Sequence, residues 1–133
     1  MPMLQLIYVS RPFGYDLNML ASILATSRLR NARDNITGAL ICRSDVFLQL
    51  LEGPHAQVES TFQRICEDDR HLDVTKLVTG PVEDRLFPDW AMKHDPAASW
   101  LFSPEEIHDG ALTAASNVDI REIFIRSAMG DGS

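Results

Sequence analysis

The chain has 133 residues, 45% of them apolar and 23% charged, with a formal net charge of −7. That length supports one globular domain with a real core and too little material for two, and the acidic balance supplies no basic surface for nucleic-acid phosphates. No apolar run approaches the roughly 18 residues of a membrane span, and Met1-Pro2-Met3-Leu4 lacks the features of a secretory leader, so the chain reads as soluble and cytoplasmic.

Residues 4–10 alternate as a strand, with Leu4, Leu6, Tyr8 and Ser10 on one face and Gln5, Ile7 and Val9 on the other. Arg11-Pro12-Phe13-Gly14 breaks it, and Asp16 can cap a helix whose Leu17, Leu20, Ala21, Leu24, Ser27 or Arg28, and Asn31 recur at helical spacing. Residues 36–43, a Ser44-Asp45 turn and residues 46–52 read as a β-hairpin that brings Phe47, Gln49 and Leu51 onto one face. Gly53-Pro54 then opens a second helix with Val58, Phe62, Ile65 and Cys66 inward, ending near residues 68–71. A strand over 74–82 follows, and then a short segment, 90–94, in which Trp90, Met92 and His94 share a face.

The order β-α-β-β-α-β-β matches an α+β, ferredoxin-like sheet with both helices on one face. The opposite face needs a cover. Residues 1–95 are therefore expected to form the domain, and residues 96–133 a helical extension that covers the sheet or docks a partner. Ser103-Pro104-Glu105-Glu106 resembles a helix start, Ile120, Ile123 and Phe124 suggest a second amphipathic helix, and residues 129–133 read as frayed.

Three polar side chains stand where apolar ones belong: Tyr8 on the first strand, Asn31 at the end of the first helical stripe and Gln49 between Phe47 and Leu51. Unsatisfied burial costs roughly 1–3 kcal/mol per group, so together they point to a bound heteroaromatic ring as polar partner. Taken alone, Tyr8 could equally reach a backbone carbonyl, and Trp90-x-Met92 could equally be core filler. Hydrolase chemistry has little to stand on, because GxSxG, HExxH and a Gly-rich phosphate loop are all missing and His55, His71, His94 and His108 are scattered. Glu67, Asp68 and Asp69 read as a solvated cluster, with Asp68, Arg70 and His71 as a polar rim for a ligand tail. Cys42 and Cys66 have neither CxxC spacing nor a neighbouring His pair, so free thiols and no metal site are expected.

Five ordered blocks, Leu6-Ile7-Tyr8-Val9-Ser10, Ser27-Arg28-Leu29-Arg30-Asn31-Ala32, Ile36-Thr37-Gly38-Ala39-Leu40, Phe47-Leu48-Gln49-Leu50-Leu51-Glu52-Gly53 and Phe87-Pro88-Asp89-Trp90-Ala91-Met92, resemble the BLUF blue-light photoreceptor domain from about Leu4 to His94. The resemblance implies a non-covalent flavin between the two helices, FAD by nature, with FMN or riboflavin able to substitute. Tyr8 and Gln49 would reach flavin N5 and O4, Asn31 the O4/N3 edge and Arg30 the O2 side. Ile23 and Phe47 would pack near the ring, and Asp68, Arg70 and His71 would meet the ribityl and phosphate part. Tyr8 would give up an electron and a proton on illumination, and Gln49 would exchange its hydrogen bonds by rotation or tautomerisation. A red-shifted signalling state would follow, relayed by Trp90 and Met92.

On this reading the chain is a sensor without catalytic activity. It would signal to a separate protein, such as a cyclic-di-GMP phosphodiesterase, and form homo-oligomers through residues 96–133. Two alternatives are an acylphosphatase-type ferredoxin-fold enzyme using Arg30 and Asn31, and a light-insensitive interaction module. Arg30 stands where some members of the family carry His or Asn, and an added cation beside the ring is expected to alter photocycle kinetics.

Overall fold

Period-two patterning over residues 4–10 becomes strand β1 (Met3–Pro12), an inner strand of a five-stranded sheet. A computed structural model describes residues 3–12, 17–43, 46–68, 71–88, 90, 92–96, 105–106 and 110–129. After β1 come α1 (Leu17–Asp34), β2 (Thr37–Arg43), β3 (Val46–Gly53), α2 (His55–Cys66), β4 (His71–Val82), β5 (Lys93–Pro96), α3 (Ala111–Ala114) and α4 (Asn117–Met129). The sheet order is β4-β1-β3-β2-β5, with β3 inserted between β1 and β2 as the split β-α-β pattern requires. β1 pairs antiparallel with β3 and β4, β2 pairs antiparallel with β3, and β5 runs parallel to β2 at the edge.

Both faces of the sheet are buried. On the near face Leu4, Leu6, Tyr8, Leu40, Phe47 and Leu51 pack with Leu20, Ile23 and Leu24 of α1 and Val58 of α2. On the far face Ile7, Ile41, Leu48, Leu50 and Phe87 cluster with Leu112, Ile120, Ile123 and Phe124 of α3 and α4. Double-sided burial explains why β3 reads as a continuous apolar run broken by Gln49 and Glu52: every residue of Val46–Gly53 is buried.

α1 stops where its sequence provides for it. Asn35 adopts φ 60°, a left-handed conformation Asn tolerates, and the Ile36 N–H donates to the Asn31 carbonyl at 2.9 Å, closing a Schellman-type end. The chain then turns directly into β2 at Thr37. There Gly38 is required by space, since a Cβ on it would lie 1.9 Å from the Leu50 carbonyl oxygen. Gly38→Ala is expected to destabilise the fold by about 1–3 kcal/mol through forced separation of β2 from β3, measured as a lower urea midpoint.

Several expected boundaries move. α2 ends at Cys66 instead of near residues 68–71, and β4 begins at His71 instead of 74. Pro54 is the N-cap of α2 and not its first helical residue. Thr61 is buried on α2 while Cys66 is exposed, because the inward face is set by the cleft between the helices as well as by apolar spacing. Ala21 is exposed and Ile23 takes its place on the buried side of α1. The last strand is Lys93–Pro96, so Trp90 and Met92 precede it and point differently: Trp90 is 42% exposed and Met92 1%. An irregular approach to the strand removes the period-two relation that would have put them on one face. The expected Asp16 cap, the Ser44-Asp45 turn and Ser103-Pro104 lie outside the described residues, as do residues 130–133 of the expected frayed end, whereas Met129 closes α4.

Candidate functional site

Tyr8 and Gln49 are direct partners in the β1–β3 register, so both side chains rise from the same face of the sheet beneath the helices. The Tyr8 hydroxyl donates to Gln49 Oε1, and Gln49 Nε2 donates to Met92 Sδ at 3.3 Å. Burial drives the Tyr8 phenol well above its ordinary pKa, with Cys66 and Asp68 adding to the same shift, so the hydroxyl stays protonated at neutral pH. A thioether is a weak acceptor, which makes the NH2 end of Gln49 the least firmly held part of this row.

Gln49 is also the floor of a cleft of about 490 Å³ of empty space, including its opening to solvent. Residues one helical turn apart line it from both sides: Ile23, Ser27, Arg30 and Asn31 with Thr26 on α1, and Thr61, Arg64 and Ile65 on α2. Leu51, Asp68 and His71 complete the wall. The apolar surfaces of Ile23, Leu51 and Ile65 suit a flat ring, while the guanidinium groups of Arg30 and Arg64 suit an anionic tail. Arg64 Nη2 meets Asp34 Oδ2 at 3.3 Å and Thr61 Oγ1 at 3.1 Å, linking the two helices.

Of the residues singled out in the sequence, Ile23, Arg30, Asn31, Gln49, Asp68 and His71 line this cleft. Tyr8 sits beneath it and reaches it through Gln49. Phe47 is not in the lining; its ring stands edge-on to His71 at 5.5 Å, and His71 in turn bonds Ser10 Oγ through Nδ1 at 2.9 Å and stands edge-on to Tyr8 at 6.2 Å. Arg70 lies outside the described residues. Sequence reasoning missed Thr26, Ser27 as a lining residue, Thr61 and Arg64, although the polar pair Thr61-Arg64 at i, i+3 marks a second stripe on α2 that Asp68 continues just past the helix end.

Among the described residues every buried side-chain nitrogen and oxygen has a hydrogen-bond partner, so burial of Tyr8, Asn31 and Gln49 does not by itself demand a ligand. The cleft, its two cations and the amide donor resting on sulfur carry that inference instead. No grouping of His, Cys, Asp and Glu suited to a metal ion occurs among the described residues, and Cys42 and Cys66 are not joined in a disulfide. No helix among them is long and apolar enough to cross a membrane.

The segment ahead of β5 is tied to the rest of the site. The Gly38 N–H donates to the Trp90 carbonyl at 3.0 Å, and Arg28 Nε donates to the Met92 carbonyl at 3.1 Å. Met92 is thereby held against Gln49 while Trp90 lies at the surface.

A flavin-sensor architecture is what this α+β fold and its inter-helix cleft define, and comparison with known proteins agrees. Residues 3–93 match the family model "BLUF: Sensors of blue-light using FAD", and the chain belongs to that family of flavin-binding blue-light receptors. It is 36% identical over 111 residues to the photoactivated adenylate cyclase subunit beta-like protein FB of Euglena gracilis, which covers 83% of this chain and 13% of that one. The chain thus spans a small part of the cyclase relatives' length. Its fold matches the dark-state structure of BlrB, a BLUF protein, with TM-score 0.82 and 27% identity over 97% of each chain. It also matches Klebsiella pneumoniae BlrP1 solved with FMN and cyclic diGMP, with TM-score 0.68 and 28% identity over 98% of this chain and 35% of that one.

Proposed function

We propose that the protein senses blue light through a flavin held non-covalently in the α1–α2 cleft, and that Tyr8 and Gln49 convert absorption into a structural change. The observation that carries this reading is the row Tyr8–Gln49–Met92, which meets the cleft at Gln49 and in which one reversible carboxamide joins a neutral phenol to a packing residue. Ile23, Asn31 and Gln49 would hold the ring with Arg30 at its O2 side, and Asp68, Arg70 and His71 would meet the ribityl and phosphate part, with Phe47 supporting from behind His71. FAD is the proposed flavin, with FMN or riboflavin fitting the same ring site. A bound flavin supplies the blue-light absorption and, when excited, a strong oxidant.

The residues then divide the work. Tyr8, kept neutral by burial, releases an electron and its phenolic proton together. Gln49 rotates or tautomerises, so that its donor and acceptor ends exchange partners. Loss of the Nε2 contact frees Met92 from its inner position, and Trp90, two residues away, is placed to respond.

The chain acts as a sensor without catalysis and passes its signal to a separate protein; a cyclic-di-GMP phosphodiesterase is the proposed class, supported by the BlrP1 likeness. Residues 1–95 form the sensing unit and residues 96–133 the extension, which also serves self-association. Purified protein reconstituted with FAD, FMN or riboflavin should be yellow, shift slightly to the red under blue light and recover in darkness. Protein that stays colourless with all three would overturn the reading.

Arg30 bears on the rate. A guanidinium at the cleft stabilises negative charge nearby more than a neutral imidazole does. Arg30→His is expected to leave the amplitude of the red shift intact and change the dark-recovery time several-fold. Identical recovery traces would remove Arg30 from the kinetic account.

A further inference from the structure

A second polar row crosses the sheet on the far face. Glu52 is fully buried and pairs with Gln5 in the β1–β3 register, three positions along from the Tyr8–Gln49 pair and therefore on the opposite side. Glu52 Oε1 accepts the Phe87 backbone N–H at 2.7 Å, and Oε2 accepts from Gln5 Nε2 at 3.2 Å. Gln5 Oε1 accepts from Arg121 Nε of α4 at 3.0 Å. A carboxylate only accepts and a guanidinium only donates, so the amide between them has a single satisfied orientation. Burial pushes the Glu52 carboxyl up, opposed by hydrogen bonds from Phe87, Gln5 and Leu86 and by the Arg85 charge.

Phe87 joins this row to the sensing side. Its ring stands edge-on to Phe124 of α4 at 6.4 Å, and its carbonyl accepts the Trp90 N–H at 3.4 Å. Phe87 belongs to the far-face cluster and Met92 to the near-face one, so the intervening segment passes from one side of the sheet to the other, tied to β2 through Gly38 and Trp90. We propose that Arg121, Gln5 and Glu52 are positioning residues that couple the seating of α4 on the sheet to the placement of the segment carrying Trp90 and Met92. The coupling is a property of the folded chain and requires neither flavin nor light.

Donor–acceptor direction gives a test. Glu52→Gln can satisfy either the Phe87 N–H or the Gln5 amide but not both, and Gln5→Glu sets two carboxylates side by side. The reciprocal double variant, Gln5→Glu with Glu52→Gln, restores every bond in the row: the carboxamide now on β3 accepts from the Phe87 N–H and donates to the carboxylate now on β1, which still accepts from Arg121. Amide hydrogen exchange in the full chain, kept in darkness, is expected to quicken about tenfold at Phe87 and along α4 in each single variant and to return within about twofold of the parent in the double variant. A double variant no slower than the singles, or α4 amides that stay at parental rates while Phe87 alone quickens, would overturn the coupling. If the single variants fail to fold, Arg121→Met at the surface serves: faster exchange at Phe87 supports the proposal, and a parental rate there sinks it.

Discussion

Gln49→Leu is expected to keep its flavin and lose the light-induced red shift completely. Leucine fills nearly the same volume on β3 but has neither donor nor acceptor, so the Tyr8 hydroxyl loses its partner and Met92 loses the amide that holds its sulfur. One buried hydroxyl without an acceptor costs about 1–3 kcal/mol, enough to lower the melting temperature and too little to unfold a domain of this size. Tyr8→Phe is the complementary change: the ring stays in the near-face core, the exchangeable proton goes, and normal photoconversion should disappear with it. Light-minus-dark difference spectra decide both. Two variants that photocycle like the parent would show that this pair is not the switch.

Phe124→Ala should produce the largest loss of stability among single core changes on the far face, about 3–5 kcal/mol, read from urea unfolding. Phe124 is fully buried among Ile7, Leu48 and Leu50, and it faces the Phe87 ring. The same packing says what α3 and α4 do for the fold. Without α3 and α4, the far-face side chains of β1, β2 and β3 would form a continuous apolar surface, and a chain ending at residue 96 is expected to aggregate. A loss below about 1 kcal/mol for Phe124→Ala would mean that α4 rests on the sheet without contributing to its core.

Strand alternation is enough to put Tyr8 with the leucines of β1 and Gln49 with Phe47 and Leu51, because side-chain direction on a strand follows from period two alone. Their meeting also needs the register of β1 against β3, which the order of elements and the family resemblance supply. The far-face row shows where such reasoning stops: Gln5 and Arg121 lie 116 positions apart, and no local pattern fixes which residue of a late helix will sit above which residue of the first strand. Glu52 is hidden for a related reason, since a carboxylate closing a strand before Gly-Pro reads as the solvated end of a hairpin. Trp90 and Met92 share a face only if the strand already includes Trp90, whereas it begins three residues later. His71 reads as part of a helix end but opens β4 opposite Pro12, and its ring reaches back along β1 to bond Ser10 Oγ.

The two thiols offer an experimental handle of another kind. Cys42 is enclosed within β2, whereas Cys66 meets solvent at the last residue of α2, two positions before Asp68. A maleimide dye should therefore attach once per folded molecule, beside the rim of the cavity, without mutagenesis. Placed there, its fluorescence would report ligand entry and release in real time, and handling the untreated material under reductant would prevent crosslinking through the same sulfur.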